Sequence, residues 1–184
     1  FFLKRADHFN HFDAFVKWWD TDNFRPEDYQ PETFKKITYP ALVESFYGTQ
    51  AKILIREFET SPNDALKTRL SALIEILGKL YKTYPRYKFF PYYMAKIKLA
   101  INGPEGILKE FAPFAQKNAT QFWIWEFLAG LFKTDQATHL ALLCRAALCK
   151  ADPEMKINLH ANLAEAFALN KQYDAARTEI ETVV

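Results

Sequence analysis

Two histidines near the start of the chain have a spacing that could hold a metal ion. The segment DHFNHFD places His8 and His11 three positions apart, with Asp7 and Asp13 beside them. Histidines at positions i and i+3 of a helix can bind one ion from the same side. No second cluster of histidine or cysteine follows at a recognisable spacing. A solvent-facing helix surface is therefore the preferred interpretation, and no metal or cofactor is expected.

The candidate nucleophiles lack the surroundings that nucleophilic catalysis needs. Ser45, Ser61 and Ser71 fall in helix or turn contexts without a glycine elbow, and the five glycines form no phosphate-binding loop. Cys144 and Cys149 lie five positions apart on one predicted helix, so they face different sides and behave as small core residues rather than as a disulfide. We expect no enzyme active site in this chain, and unpaired thiols are typical of a reducing cytoplasm.

The segment GKLYKTYPRYKFFPYYMAKIK, from Gly78 to Lys98, interleaves cations with aromatic rings, and no acidic residue occurs between Glu75 and Glu105. Its cations are Lys79, Lys82, Arg86, Lys88, Lys96 and Lys98. Such a mixture could neutralise phosphates and stack unpaired bases. It is more typical of rings that pack between helices while the lysine ammonium groups remain in solvent. The net charge of +2 does not by itself predict a nucleic-acid partner.

An acidic loop lies near the N-terminus. The segment DTDNFRPEDYQPE, residues 20–32, places five carboxylates around Arg25 and contains Pro26 and Pro31. The carboxylates could bind a cation or a basic partner. A proline-containing polar segment is more typical of a solvated connection between helices.

Apolar residues recur every three to four positions along most of the chain, which predicts that helices position all of these groups. A first apolar stripe ends near Trp19, and the following helices are predicted at about 40–60, 64–84, 88–101, 104–117, 120–132, 136–150, 154–169 and 172–184. No useful length of chain alternates apolar and polar residues as a half-buried strand does, and no apolar run could span a bilayer. The prediction is an all-α protein without a membrane span.

The last helices repeat with a period of 35 residues. Four residues recur one period later in the same order, namely Leu128, Ala129, Phe132 and Ala141 as Leu163, Ala164, Phe167 and Ala176. A large residue beside a small one, followed by an aromatic ring, lets a second helix approach closely. The pattern therefore predicts stacked helix pairs in which each small residue is a packing position.

This pattern resembles the tetratricopeptide repeat family. Its signature spacing is carried here by Trp125, Leu128, Ala129, Phe132, Ala141 and Pro153, and the turn NKQYDAA is similar to the interhelix turn of the family. The resemblance implies a right-handed α-solenoid of antiparallel helix pairs, with repeats at 122–156 and 157–184 and a weaker copy at 88–121 whose register stays open. Residues 1–85 form a separate helical region, and the repeats occupy 86–184.

The resemblance also implies a binding function. Repeat stacks of this type bind peptides or domains on a concave face made by the first helix of each pair. That face should contain Trp123, Glu126, Gly130, Lys133, Asn158, Ala161, Glu165 and Ala168. The expected role is a non-catalytic scaffold for a protein or peptide partner, or for other domains of the same protein. The alternatives are RNA or DNA binding by residues 78–98, and a recruiting arm of an enzyme whose catalytic domain lies outside this sequence.

Both ends of the sequence indicate a piece of a longer protein. The chain begins with Phe1 and carries no signal-peptide pattern. Its last residues would leave Ile180, Val183 and Val184 exposed at the end of a repeat stack. Because such stacks need a polar cap, we expect a further helix or a neighbouring chain to cover them.

Overall fold

The protein is mostly α-helical, which confirms the helical class. The computed structural model describes residues 12–19 and 21–182. Within these ranges it has nine α-helices, and each helix predicted from residue 40 onward is present. They are α1 (Phe12–Trp18), α2 (Leu42–Thr60), α3 (Asp64–Thr83), α4 (Phe90–Asn102), α5 (Ile107–Lys117), α6 (Phe122–Leu131), α7 (Gln136–Ala147), α8 (Ile157–Leu169) and α9 (Tyr173–Glu181).

Contacts divide the chain into two compact units, Phe1–Gly103 and Pro104–Val184. The sequence pattern places the start of the repeats at residue 86, before α4. In the structure α4 packs against α2 and α3, because Phe90 and Ile97 on its apolar face belong to the core of the N-terminal unit. The helix that carries the weaker repeat pattern is therefore part of that unit.

The core of the N-terminal unit is formed by α2, α3 and α4. Leu70 and Leu77, seven positions apart on α3, are completely buried, as is Ile97 on α4. The repeat of apolar residues every three to four positions places these side chains on one face of each helix. Helix α3 begins after Asn63, whose side-chain oxygen accepts a hydrogen bond from the Leu66 N–H at 2.9 Å and so satisfies one of the unpaired groups of the first turn.

A short β-hairpin, which the sequence analysis did not predict, precedes α2. Strand β1 (Glu32–Phe34) pairs antiparallel with β2 (Ile37–Tyr39). Every residue of both strands is exposed, so no alternation of buried and exposed positions marks them in the sequence. The turn is made by Lys35 and Lys36, both with positive φ (48° and 67°), in place of the usual glycine or asparagine.

The core of the C-terminal unit lies among α6, α7 and α8. It contains Ala129, Leu143, Ala146, Leu159, Leu163 and Ala166, and Trp125 and Phe167 pack against its edge. Most of the predicted packing positions are buried or half-buried, but Ala141 is exposed. Helix α7 packs through Leu143 and Ala146, so the face that carries Ala141 is exposed to solvent. The small side chain of Ala141 therefore does not serve the close approach of a second helix.

None of the helices within the described ranges has the length and apolar character needed to cross a bilayer. At the end of the chain, the side chain of Ile180 is 54% exposed. Val183 and Val184, which the sequence analysis grouped with it, lie outside the described residues.

Candidate functional site: a polar groove between α6, α7 and α8

The C-terminal unit contains an open groove of about 350 Å³ between three of its helices. Helix α6 and the turn after it contribute Glu126, Gly130 and Lys133, α7 contributes Gln136, His139 and Leu143, and α8 with its end contributes Asn162, Glu165, Ala166, Leu169 and Asn170. A cavity of this size lies in the range of ligand sites. Its rim is polar, and its apolar lining consists of alanine and leucine side chains.

A hydrogen bond joins two walls of this groove. The side-chain amide of Asn162 on α8 donates to Oε1 of Glu126 on α6 at 3.1 Å. The two residues are 36 positions apart, close to the repeat period of 35. The contact therefore joins a residue of α6 to a residue of α8 at one edge of the groove.

A histidine on α7 has a defined tautomer in its neutral form. The Nδ1 atom of His139 lies 2.8 Å from the carbonyl oxygen of Ala129, and a carbonyl oxygen only accepts. Nδ1 is therefore the protonated nitrogen, and Nε2 of the neutral ring is left as an acceptor. Because the Ala129 carbonyl is near the end of α6, the same bond fixes the start of α7 against it.

The groove offers hydrogen bonds and charge. Its lining includes three side-chain amides, two carboxylates and one lysine, but no hydroxyl or thiol among the described residues. Side-chain amides can both donate to and accept from a peptide backbone. With Glu126 and Glu165 against Lys133, the charged side chains of the lining favour a ligand that carries positive charge.

The groove brings together half of the face that the sequence analysis predicted. Glu126, Gly130, Lys133 and Glu165 line it. Three others, Asn158, Ala161 and Ala168, are exposed on α8 and do not line it.

Trp123, which the sequence analysis placed on the concave face, also lies outside the groove. It is half-buried, and its ring lies 6.2 Å from that of Phe114 on α5. Packing within the C-terminal unit therefore covers part of the surface that the sequence analysis assigned to a partner.

Four polar lining residues were not predicted: Gln136, His139, Asn162 and Asn170. The predicted face used only the first helix of each pair and assumed a spacing of 35 residues between facing positions. The observed contact has a spacing of 36, and one residue rotates the facing side of a helix by about 100°. A predicted face that also included the second helix of each pair and the turn at Asn170 would have contained the other three residues, Gln136, His139 and Asn170.

The aromatic rings of residues 78–98 are used mainly for packing in the N-terminal unit. Tyr87 and Phe90 are buried, and Tyr84 is stacked between Tyr87 and Tyr29. The Tyr87 hydroxyl donates to the Tyr29 carbonyl at 2.8 Å, and burial raises the pKa of Tyr87 to about 12. Rings held in this way do not present an open stacking face to a base.

The cations of the same segment are placed in two ways. Arg86 donates to the Tyr29 carbonyl at 3.2 Å and to Gln30, while Lys88 and Lys96 lie over the rings of neighbouring aromatic residues. Lys79 and Lys82 are exposed on α3, and Lys98 is half-buried on α4. The six cations thus lie on three different parts of the N-terminal unit.

The acidic loop contains a short-range hydrogen bond between Arg25 and Asp28. Its residues form two turns of 3₁₀ helix, Thr21–Asn23 and Pro26–Tyr29. Asp28 accepts from the Arg25 backbone N–H at 2.9 Å, and this bond lowers the pKa of the Asp28 carboxyl. Across the described part of the chain, no three histidine, cysteine or acidic side chains come together as a metal site. His8 and His11 lie outside that part.

A cysteine, a histidine and a glutamate lie near one another in the C-terminal unit. Nδ1 of His160 on α8 is 2.6 Å from the carboxylate of Glu179 on α9. Burial raises the pKa of the nearby Cys144 thiol, and the charge of Glu179 raises it further. Both effects are opposite in direction to the lowered pKa of a catalytic thiol. Cys149 is buried, and both cysteines are unpaired.

The fold and the groove together define a mostly helical protein whose C-terminal unit carries an open groove lined largely by polar residues. The family model of a domain of unknown function, DUF7017, matches residues 88–184. Since this match covers more than half of the sequence, the chain belongs to that family. A search of curated proteins finds no match to the chain.

Proposed function

We propose that the C-terminal unit is a tetratricopeptide-like array and that its groove binds an extended segment of a protein partner. The array is a right-handed α-solenoid of antiparallel helix pairs, and its role is that of a non-catalytic scaffold. The observation that carries the proposal is the Asn162–Glu126 hydrogen bond, which joins the first helices of two successive pairs at one edge of the groove.

Contacts within each pair support the antiparallel arrangement. On α6 and α7, Arg145 lies over the Trp125 ring and His139 contacts Ala129, so an earlier residue of α6 meets a later residue of α7. On α8 and α9, the early residue His160 meets the late residue Glu179. Helices that meet in this order run in opposite directions, as the two helices of a repeat do.

The groove chemistry supports a peptide ligand. Its amides, Gln136, Asn162 and Asn170, suit the alternating donors and acceptors of an extended backbone. Leu169 is 61% exposed at the edge of the groove and supplies apolar contact area. Because two carboxylates face one lysine, we expect the bound segment to carry a basic side chain.

A selection experiment tests this proposal. The 184-residue chain is used to select binders from a random peptide library, and the affinity of a selected peptide is measured by calorimetry. Reversing a groove charge with Glu165→Lys should weaken binding about tenfold or more, the effect of about 1.4 kcal/mol. The matched control Glu154→Lys, an exposed residue outside the groove, should bind as the wild type does.

Equal loss of affinity in both variants, or in neither, would remove the groove from the proposal. The nucleic-acid alternative has less support, because the rings of residues 78–98 pack inside the N-terminal unit. Salt-dependent binding of a mixed-sequence oligonucleotide would restore it. An enzyme-recruiting arm would bind its partner in the same groove.

A further inference from the structure

The N-terminal unit has an open groove of its own, with a volume of about 720 Å³. It lies between the 3₁₀ helix Pro26–Tyr29 of the acidic loop, the β-hairpin and the first turn of α2. Its volume is about twice that of the groove in the C-terminal unit and falls in the range of ligand sites. Because three separate elements enclose it, its shape depends on the fold and not on the acidic loop alone.

Four residues give this groove an apolar wall. Tyr39 is 41% exposed and Leu42 is 45% exposed, and both line the groove. Pro31 and Pro40 line it too, and both are exposed. Single exposed apolar side chains are normal on a protein surface. Four that line one groove form the kind of apolar surface that marks an interaction site.

The charge of the groove is negative. Its lining includes three carboxylates, Glu27, Asp28 and Glu32, and one cation, Arg25. The Arg25 side chain pairs with Asp28 at 3.5 Å, so these two charges offset each other. Glu27 and Glu32 are exposed, and neither forms an ion pair with a residue in the described part of the chain. Two uncompensated carboxylates therefore stand beside the apolar wall, and a partner of complementary charge is basic.

The groove has few groups that could hold the backbone of a ligand. Among the described residues its lining has a single side-chain amide, that of Gln30, whose oxygen already accepts from Arg86. The two strands of the hairpin have three residues each and are flanked by Pro31 and Pro40, which have no N–H to donate. Such short, proline-flanked edges are poor templates for an added strand. Packing and charge must therefore supply most of the affinity for a ligand.

A proline-rich segment meets these conditions. Its polyproline II conformation is extended, has no internal hydrogen bonds and is already populated in the free chain. Because little conformational freedom is lost on binding, such a segment needs few hydrogen bonds to the groove. Its rings pack against aromatic and apolar walls, which is how proline-rich segments are recognised in general.

We propose that this groove binds a proline-rich segment of a protein partner that carries an arginine or a lysine. The proline rings lie against Tyr39 and Leu42, and the basic side chain lies beside Glu27 and Glu32. The site belongs to the N-terminal unit alone and is independent of the peptide groove proposed for the C-terminal unit.

Calorimetry of the 184-residue chain with synthetic peptides tests this site. The probes are a panel of proline-rich peptides that carry one arginine at different positions. Two further panels replace the arginine by glutamine or the prolines by alanine. At least one arginine peptide should bind the wild-type chain, and its glutamine version should bind about tenfold more weakly or worse. The alanine version should also bind more weakly, because it has to be ordered on binding.

Two exposed residues of the groove are then changed. Glu32→Lys should weaken binding of the arginine peptide about tenfold or more. Leu42→Ala should weaken it about fivefold, because less apolar area is buried. The matched controls are Glu59→Lys, at an exposed carboxylate of α2 outside the groove, and Leu148→Ala, at a leucine of the C-terminal unit that is 76% exposed. Both should bind as the wild type does, and thermal unfolding confirms that all four variants are folded.

Several outcomes would overturn the proposal. They are a wild-type chain that binds no arginine peptide, glutamine or alanine versions that bind as tightly as the arginine peptide, and equal effects of Glu32→Lys and Glu59→Lys. Loss of binding in Glu165→Lys but not in Glu32→Lys would place the peptide in the C-terminal groove instead. A dimer of the chain that Leu42→Ala dissociates, measured by analytical ultracentrifugation, would assign the N-terminal groove to a second copy of the chain.

Discussion

The side-chain amide of Asn162 on α8 donates a hydrogen bond to the carboxylate of Glu126 on α6, over 3.1 Å and 36 positions of sequence. The two residues stand at one edge of the polar groove, and His139 on α7 forms part of its lining. The contact joins α6 to α8, the first helices of the pairs α6–α7 and α8–α9, at the position of the groove.

The energetic coupling of this pair can be measured with a double-mutant cycle of Glu126→Ala and Asn162→Ala. Because both side chains are partly in solvent, we expect a coupling free energy of about 0.5–1 kcal/mol by urea unfolding. The control cycle combines Glu126→Ala with Asn158→Ala, at an exposed α8 residue outside the groove. The effects of these two substitutions on the free energy of unfolding should be additive. Additivity in both cycles, within about 0.3 kcal/mol, would show that the contact does not hold the helices together.

Trp125 is predicted to stabilise the C-terminal unit in two ways, by the hydrogen bond of its ring nitrogen and by the apolar surface that its ring buries. The indole N–H donates to the Ala119 carbonyl at 2.7 Å. Trp125→Phe keeps most of the ring but removes the donor, so the free energy of unfolding should fall by about 1 kcal/mol. The same change at the exposed Trp18 should alter it by less than about 0.5 kcal/mol. Similar effects at the two sites would argue against the hydrogen bond.

Two glycine substitutions in the C-terminal unit should have opposite effects. A Cβ atom added to Gly130, near the end of α6, meets nothing within 4 Å. Gly130→Ala should therefore raise the free energy of unfolding by about 0.5–1 kcal/mol, since alanine restricts the unfolded chain. Gly106, with φ of 75°, has a left-handed conformation, so Gly106→Ala should destabilise. Destabilisation by Gly130→Ala would mean that the groove is narrower at this point than the structure shows.

Glu44 should make stability depend on pH in a defined direction. Burial raises its pKa above 4.5, against the opposing effects of the Phe89 N–H, Lys88 and Arg86. The folded state therefore binds more protons than the unfolded state above about pH 4.5, and stability falls as the pH rises through the folded-state pKa. Below both pKa values this loss is absent. As the pH rises through the folded-state pKa of Glu44, the free energy of unfolding of the wild-type protein should fall relative to that of Glu44→Gln. Urea unfolding at several pH values measures this difference. A constant difference would contradict it.

Much of the helical architecture could be predicted because its signals are local. Apolar residues three to four positions apart mark one face of a helix, and Leu70 and Leu77 lie on the buried face that this rule assigns. The hairpin could not be predicted in the same way, because every residue of its two strands is exposed and its turn consists of Lys35 and Lys36. Apolar periodicity marks the residues that a helix or strand buries, and neither strand of this hairpin has a buried residue.

The candidate groove could be predicted only in part, because a groove depends on how helices face one another. Glu126, Gly130, Lys133 and Glu165 follow from the repeat pattern. Asn162 does not, since the facing position on α8 is 36 residues from Glu126 and not one period of 35. The same limit applies to Trp123, whose neighbour Phe114 belongs to α5, outside the aligned repeats. Buried polar atoms such as Glu44 Oε1 also become visible only when the surrounding helices are placed.

Blocking the groove with a side chain tests the central claim most directly. Gly130→Tyr places a ring in the groove at a position with open space, and Ala161→Tyr places the same ring on exposed α8 surface outside it. Affinity for a peptide selected on the wild-type chain is then measured by calorimetry, with thermal unfolding to confirm that both variants are folded. The groove account predicts that Gly130→Tyr abolishes binding while Ala161→Tyr leaves it unchanged. Undiminished binding by Gly130→Tyr, or loss of binding in Ala161→Tyr, would contradict it.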